Sequence, residues 1–193
     1  MRMSPLEKHF VNSPGHAQRV ADEARRLLSH IDGKSAWHYL DVGCGVGTAA
    51  GKIAETSDWT VTGIDIDPKQ IQAAKNGGVR PNLQYKVMDA TKLEFADGAF
   101  DVVASHMATH HIPDWRRALS EMIRVLRSGG YLIYTDFVFP SWVAKLARVI
   151  RFVGLPTRGD LQVLAERAGL ALVYTSRGFG KLDVIWLKND SGR

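Results

Sequence analysis

Short apolar runs alternate along this sequence with stretches in which apolar residues recur at helical spacing. The runs are bounded by turn residues and have the length of β-strands, and they cover residues 37–42, 59–65, 83–87, 100–104, 131–138, 171–175 and 182–187. Helical spacing, capping residues and terminating glycines predict helices over residues 14–31, 113–126 and 160–168, and two further helices that begin near residues 48 and 68. Strands and helices therefore follow one another along most of the chain.

This order predicts an α/β fold: a doubly wound, mainly parallel, seven-stranded sheet with helices on both faces, which is Rossmann-like. The last two strands lie too close in sequence for a helical crossover, so they must form an antiparallel C-terminal hairpin. We expect one domain over residues 1–193, with a helical N-terminal extension (1–35) and a segment (139–160) that caps the ligand site. Ligands of such sheets bind beyond the carboxyl ends of the strands, where the strand order switches.

A glycine-rich turn follows the first predicted strand, in Asp41-Val42-Gly43-Cys44-Gly45-Val46-Gly47. Glycine lets a backbone adopt positive φ and approach a ligand closely. A dinucleotide fingerprint requires glycine or alanine at position 48, where this chain has Thr48. A pyrophosphate would also be repelled by Asp41, whereas a ligand with an amino group and a sulfonium centre would be attracted.

Two further acids, Asp65 and Asp89, close the second and third predicted strands. A carboxylate at the second strand end can accept hydrogen bonds from ribose hydroxyls, and one at the third can accept a hydrogen bond from the adenine amine. Each aspartate taken alone is also explained as a turn or cap residue. Acids at three successive strand ends behind a glycine turn favour a nucleoside site.

These segments resemble the motifs of class I methyltransferases that use S-adenosylmethionine (SAM). Residues 40–47 look like the first motif of that family, 63–67 like its ribose-binding strand end and 89–103 like the segment with the adenine contact, and later landmarks match at 111–114 and 124–130. The resemblance implies SAM as cofactor, S-adenosylhomocysteine as product, and methyl transfer as the activity. The cofactor-binding residues that it implies are Asp41, Gly43, Gly45 and Gly47 for the methionine part, Asp65 for the ribose, and Ile66, Asp89 and Ala90 for the adenine.

The residues at the end of the fourth predicted strand are the candidates for the chemistry of transfer. Ser105 is assigned to the cofactor site, and His106 and His110 are the candidate catalytic bases. Each histidine is alternatively a packed or hydrogen-bonded loop residue, which is the interpretation we prefer for His111. Asp136, on the fifth strand, is a further possible base or a loop cap. Positioning alone is also sufficient, because the methyl group of SAM is already activated. We expect no metal site.

Composition narrows the choice of partner and location. The chain has 25 Lys and Arg against 20 Asp and Glu, but the basic residues are scattered, so we do not expect nucleic acid as the partner. The single cysteine and the absence of an export signal or a membrane-length apolar run favour the cytoplasm. We expect a small-molecule or lipid-like methyl acceptor, and a homodimer is compatible with the sequence. The basic amphipathic stretch 141–153 has three interpretations: a lid, a membrane-surface helix or a packing helix.

Three alternatives differ from the leading hypothesis. One is a SAM-binding regulatory protein without turnover. A second is a methyltransferase that acts on RNA or protein, which predicts a contiguous basic surface and salt-dependent binding. The third, an NAD-dependent oxidoreductase, is disfavoured by Thr48 and Asp41.

Overall fold

A computed structural model of the chain describes residues 14–78, 80–140, 143, 156–178 and 180–189. The helices within these ranges are α1 (Pro14–Leu28), α2 (Thr48–Thr56), α3 (Pro68–Asn76), α4 (Trp115–Val125) and α5 (Arg158–Arg167). The strands are β1 (His38–Val42), β2 (Thr60–Asp65), β3 (Leu83–Val87), β4 (Phe100–His106), β5 (Leu126–Phe137), β6 (Leu170–Gly178) and β7 (Lys181–Lys188). Most of the predicted cap, including 141–142 and 144–155, and the extension before Pro14 lie outside the described residues.

The seven strands form one sheet in the order β3-β2-β1-β4-β5-β7-β6. Strands β1 to β5 pair in parallel, whereas β7 is antiparallel to both β5 and β6. The predicted doubly wound sheet with its C-terminal hairpin is therefore confirmed. Within the hairpin, β7 inserts between β5 and β6, so only β7 runs against the other strands. The strand order reverses between β1 and β4, which places the ligand cleft at their carboxyl ends.

Polar side chains cap the first turns of α3 and α5. Asp67 caps α3 by accepting a hydrogen bond from the amide of Lys69, with Pro68 as the first helical residue. Thr157 and Asp160 form a reciprocal capping box at the start of α5.

Strand β5 begins earlier than its sequence indicates. Gly129 and Gly130 were predicted to end helix α4, but the helix ends at Val125 and the fully buried Leu126 already pairs with Phe100. The glycines instead lie in an irregular stretch of β5, where a Cβ on Gly130 would lie 2.7 Å from the carbonyl oxygen of Asp101. Strand β4 also runs to 106 rather than 104, because Ser105 and His106 continue its ladder with β5.

Apolar side chains cover both faces of the sheet. On one face, α4 and α5 pack on the strands through a buried cluster that includes Trp115, Leu119 and Met122. On the other face, α1 and α2 contribute Leu27 and Ile53 to a second cluster around Tyr39. In the described ranges, no helix has both the length and the apolarity needed to cross a membrane.

Truncation of Leu119 tests the core assignment. The side chain is 1% exposed, so Leu119→Ala should lower the free energy of unfolding by about 2–5 kcal/mol through lost burial and a residual cavity. The matched control is Leu172→Ala, because Leu172 is 61% exposed and its truncation should change stability by less than about 0.5 kcal/mol. Chemical denaturation measures both, and equal losses would contradict the assigned packing.

Candidate functional site

The turn between β1 and α2 contains three glycines with left-handed backbone conformation. Gly43, Gly45 and Gly47 have φ values of 78°, 54° and 77°. A Cβ on Gly43 would lie 2.4 Å from the Cβ of Ala108, and one on Gly47 would lie 2.4 Å from the hydroxyl of Tyr85. A Cβ on Gly45 would meet no described atom within 4 Å. Packing therefore requires glycine at two positions, whereas Gly45 borders open space.

Backbone hydrogen bonds tie this turn to the end of β2. The amides of Gly43 and Cys44 both donate to the carbonyl of Ile64, each at 2.9 Å. The amide of Gly45 donates to Asp65 Oδ2 at 3.0 Å, and the amide of Asp67 donates to Asp65 Oδ1 at 2.8 Å. Two backbone donors thus orient the Asp65 carboxylate at the rim of the turn. A carboxylate held in this way can also accept hydrogen bonds from a ligand, such as those from ribose hydroxyls.

Tyr85 on β3 is a site residue that sequence reasoning missed. Its hydroxyl donates to the carbonyl of Gly47 at 3.0 Å, and its ring would lie 2.7 Å from a Cβ on Gly63. The ring thereby fills the space beside two glycines and holds the carboxyl end of the turn. The available signal was Gly63 itself, since a glycine inside a strand marks a close approach by another group.

Asp41 lies buried at the end of β1, with 2% of its surface exposed. Burial raises the pKa of Asp41 to about 7, the negative charge of Asp65 acts in the same direction, and a hydrogen bond from the backbone of Ala50 opposes them. A cation placed beside this carboxyl would favour its ionised form. The site therefore contains an acid that a positively charged ligand stabilises.

The residues assigned to adenine lie at the neighbouring ends of β2 and β3. Ile66 is 59% exposed and offers an apolar surface, while Ala90 is partly buried against the core. Asp89 is exposed, and its Oδ1 accepts hydrogen bonds from both the amide and the hydroxyl of Thr91 at 2.8 Å. Asp89 thus has the local turn role that the sequence allowed, at a position that is also suitable for contact with a base.

Ser105 and His106 end β4 as buried residues on opposite faces. The hydroxyl of Ser105 has no hydrogen-bond partner among the described residues. Nε2 of His106 lies 3.4 Å from the hydroxyl of Tyr39. Burial lowers the pKa of His106 to about 4, which the charge of Lys181 reinforces and that of Asp183 opposes. His106 is therefore a neutral histidine within the sheet face covered by α1.

His110 follows β4 in a short 3₁₀ helix (Thr109–His111) and pairs with Asp136 of β5. Its Nδ1 lies 2.5 Å from Asp136 Oδ1, and 18% of its side chain remains exposed. Asp136 is fully buried and also accepts hydrogen bonds from the hydroxyl of Thr109 and the amides of His110 and Phe137. A carboxylate that holds Nδ1 leaves Nε2 as the basic nitrogen. The pair has the arrangement of an oriented general base.

A family model described as "Methyltransferase domain" matches residues 40–134 of this chain. This range contains the glycine turn, the aspartates at the ends of β1, β2 and β3, and the histidines after β4. The chain belongs to the class I SAM-dependent methyltransferase family.

Two relatives within this methyltransferase family show the extent of the similarity. Methyltransferase GfsG of Streptomyces halstedii is 31% identical over 160 residues, which are 77% of this chain and 58% of the relative. The 27-O-demethylrifamycin SV methyltransferase of Amycolatopsis mediterranei is 34% identical over 136 residues, or 67% of this chain and 50% of that protein. The chain thus spans about half the length of these curated relatives.

The fold is shared with a solved structure of a geranyl diphosphate methyltransferase in complex with SAM. The two superpose with a TM-score of 0.72 at 14% identity, covering 92% of each chain. At this level of identity the similarity concerns the fold alone.

The raised pKa of Asp41 predicts a pH-dependent stability. In the unfolded chain an aspartate has a pKa of about 4, so the folded state binds the extra proton between about pH 4 and pH 7. The stabilisation that Asp41 contributes is complete below about pH 4, decreases as the pH rises, and is lost once the pH has passed through 7. Asp41→Asn should remove this component, and denaturation curves between pH 4 and pH 8 compare the two proteins. Parallel pH profiles would contradict the assigned environment.

Removal of the Tyr85 hydroxyl tests the support of the turn. Tyr85→Phe keeps the ring against Gly47 and Gly63 but loses the hydrogen bond to the Gly47 carbonyl. We expect SAM affinity to fall by roughly 2- to 10-fold, corresponding to about 0.5–1.5 kcal/mol. Titration calorimetry measures the affinity, and circular dichroism checks the fold. Tyr131→Phe, on β5, is the control and should leave SAM affinity unchanged.

Proposed function

We propose that this chain transfers a methyl group from SAM to a hydroxyl of a small-molecule or lipid-like acceptor. The observation that carries the proposal is the contact between the Gly45 amide and Asp65, at a glycine whose side-chain direction is open. A ligand can approach the backbone there and reach a carboxylate that is already oriented. The buried Asp41 supplies the negative charge that suits an ammonium or sulfonium group.

These groups support an adenosyl ligand. We assign the charged methionine part to Asp41 and the glycine turn, the ribose hydroxyls to Asp65, and the base to the exposed face of Ile66. The unpartnered hydroxyl of Ser105 is a further polar group at the same edge of the sheet. When bound, SAM supplies a methyl group activated by its sulfonium centre.

The residues of the chain then position the acceptor and remove its proton. We assign this proton to Nε2 of His110, because Asp136 holds the other ring nitrogen. The Asp136 carboxylate would stabilise the imidazolium that forms. Three other groups donate hydrogen bonds to this carboxylate and fix its orientation. We do not assign His106 as the base, because its lowered pKa makes it a weak one and it is buried.

An oxygen acceptor agrees with the name of one relative, a 27-O-demethylrifamycin SV methyltransferase. The general base fits that choice, since a hydroxyl must lose a proton on methylation. We further propose that residues 1–193 form one methyltransferase domain in which 1–35 is the helical extension and 139–160 is the cap. A cytoplasmic location, a homodimer and the absence of a nucleic-acid partner remain predictions from the sequence.

Substitution of Asp65 tests cofactor binding. Asp65→Ala removes the acceptor for two backbone amides and for the ribose, so SAM binding should weaken by about 1–3 kcal/mol, or roughly 5- to 150-fold. Asp58→Ala changes an exposed aspartate just before β2 and is the matched control. Calorimetric titration with SAM gives both affinities. An unchanged affinity in Asp65→Ala would falsify the ribose assignment.

Turnover tests the catalytic pair. Release of S-adenosylhomocysteine is followed in metabolite extracts, with wild type, His110→Ala, Asp136→Asn and the exposed-histidine control His38→Ala. His110→Ala should lower the rate by about 10²–10⁴-fold with SAM affinity retained, because the base is lost but not the cofactor site. Full activity of His110→Ala would leave positioning as the mechanism, and SAM binding without any product from wild type would favour the regulatory alternative.

A further inference from the structure

Four polar side chains form a row across strands β4, β5, β7 and β6. His106 pairs with Thr135, Thr135 pairs with Asp183, and Asp183 pairs with Ser176. Residues paired directly across a sheet point to the same face. We call these four residues the polar row.

The polar row lies just beyond an apolar layer on the face covered by α1. Two residues further on each strand from the edge of the sheet where β4 and β5 end, Ala104, Ile133 and Ile185 belong to the buried cluster beneath α1 and α2. The change from apolar to polar occurs at the carboxyl ends of β4 and β5. Doubly wound sheets bind their ligands at this edge.

Three atoms of the polar row are buried and lack a hydrogen-bond partner among the described residues. They are Nδ1 of His106, Oγ1 of Thr135 and Oδ1 of Asp183, in residues that are 8%, 0% and 7% exposed. Buried polar groups are nearly always hydrogen-bonded in native proteins, so adjacent unpartnered groups require an explanation.

Charged side chains of α1 and β7 cover the polar row, and together with Asp183 of the row they carry no net charge. Arg26 of α1 donates to Asp183 Oδ2 at 2.7 Å, and Lys181 pairs with Glu23 of α1 and lies 3.8 Å from Asp183 Oδ1. The two positive and two negative charges balance. The side chains of Arg26 and Lys181 are 44% and 29% exposed and those of Asp183 and Glu23 are 10% and 18% exposed, so the cation of each ion pair is the more exposed partner. A polar ligand that enters between α1 and β7 meets these charged side chains rather than the apolar core, and a neutral ligand leaves the charge balance intact.

The polar row begins beside the glycine turn. Asp41 of β1 pairs with Ala104 of β4, so His106 lies two residues beyond that pair on the adjacent strand, at the edge where β1 leads into the glycine turn. Neighbouring strands are about 4.8 Å apart, which places the first member of the row within one strand spacing of the proposed cofactor site.

We propose that the polar row is a subsite for the methyl acceptor and that it binds a neutral vicinal diol. One hydroxyl of a diol would bind between His106 and Thr135, and the second between Thr135 and Asp183, so that both donors and acceptors of the row are used. The inference deepens the proposed function, on which it rests, by naming the polar part of the acceptor. The competing explanation is a set of tightly held water molecules.

The test uses the full chain saturated with S-adenosylhomocysteine, whose binding is first measured by calorimetry. The probes are cis-cyclohexane-1,2-diol and cyclohexanol, which share a ring and differ by one hydroxyl. Binding is followed through the ¹⁵N-labelled histidine side chains, with the His106 signal assigned from its loss in His106→Gln. The diol should bind roughly 2- to 10-fold more tightly than cyclohexanol and shift the His106 Nδ1 signal, as one added hydrogen bond predicts.

Thr135→Val provides the decisive variant, because it replaces an unpartnered buried hydroxyl by a methyl group of the same shape. It should fold normally, bind S-adenosylhomocysteine as wild type does and lose the preference for the diol. Thr60→Val, at an exposed threonine of β2, should keep the preference.

Three results would overturn the subsite alone while S-adenosylhomocysteine still binds: no diol binding, diol binding without a shift of the His106 signal, or an undiminished preference in Thr135→Val. The first of these is the result expected if the row holds water only. Failure of S-adenosylhomocysteine to bind would overturn the proposed function and the subsite together.

Discussion

The hydrogen bond from the Gly45 amide to Asp65 is the contact on which the site depends. It joins the ends of two consecutive strands, β1 and β2, and fixes a carboxylate beside a backbone bend that only glycine adopts readily. Tyr85 and Ala108 pack against the other two glycines of the turn, so its shape is set from both sides. The turn is open only on the side of Gly45, and a ligand can approach the backbone there.

The same edge of the sheet uses buried carboxyl groups in two ways. Asp136 is surrounded by hydrogen-bond donors and orients His110, so groups of the protein itself supply its hydrogen-bond partners. Burial instead raises the pKa of Asp41, which a cation would lower again. One carboxyl group is therefore suited to hold a catalytic side chain, and the other to hold a charged ligand. The polar row is a third environment, in which buried polar atoms on adjacent strands have no hydrogen-bond partner among the described residues.

Much of this architecture was predictable from local sequence. The apolar periodicity and the glycine turn predicted the doubly wound sheet, and the short connection before β7 required a hairpin. The local rules failed where cross-strand packing decides the outcome. Gly129 and Gly130 have the composition of a helix terminator, yet the pairing of Leu126 with Phe100 starts β5 before them.

The site shows the same division between local and long-range information. The glycines and aspartates of the turn were found because they are close in sequence and occupy strand ends. Tyr85 and the polar row were not, because both depend on strand register. Sequence also placed His106 and His110 on equal terms, and only the fold shows that one is buried beside Tyr39 while the other pairs with Asp136.

The most direct measurement of the central claim is a calorimetric titration of S-adenosylhomocysteine into wild-type protein and Gly45→Val. The wild type should bind the ligand, whereas a branched side chain at Gly45 occupies the open space beside Asp65 and strains a backbone with φ of 54°, so the variant should give no binding heat. A folded variant that binds as tightly as wild type, or a wild type that gives no heat, would contradict the account.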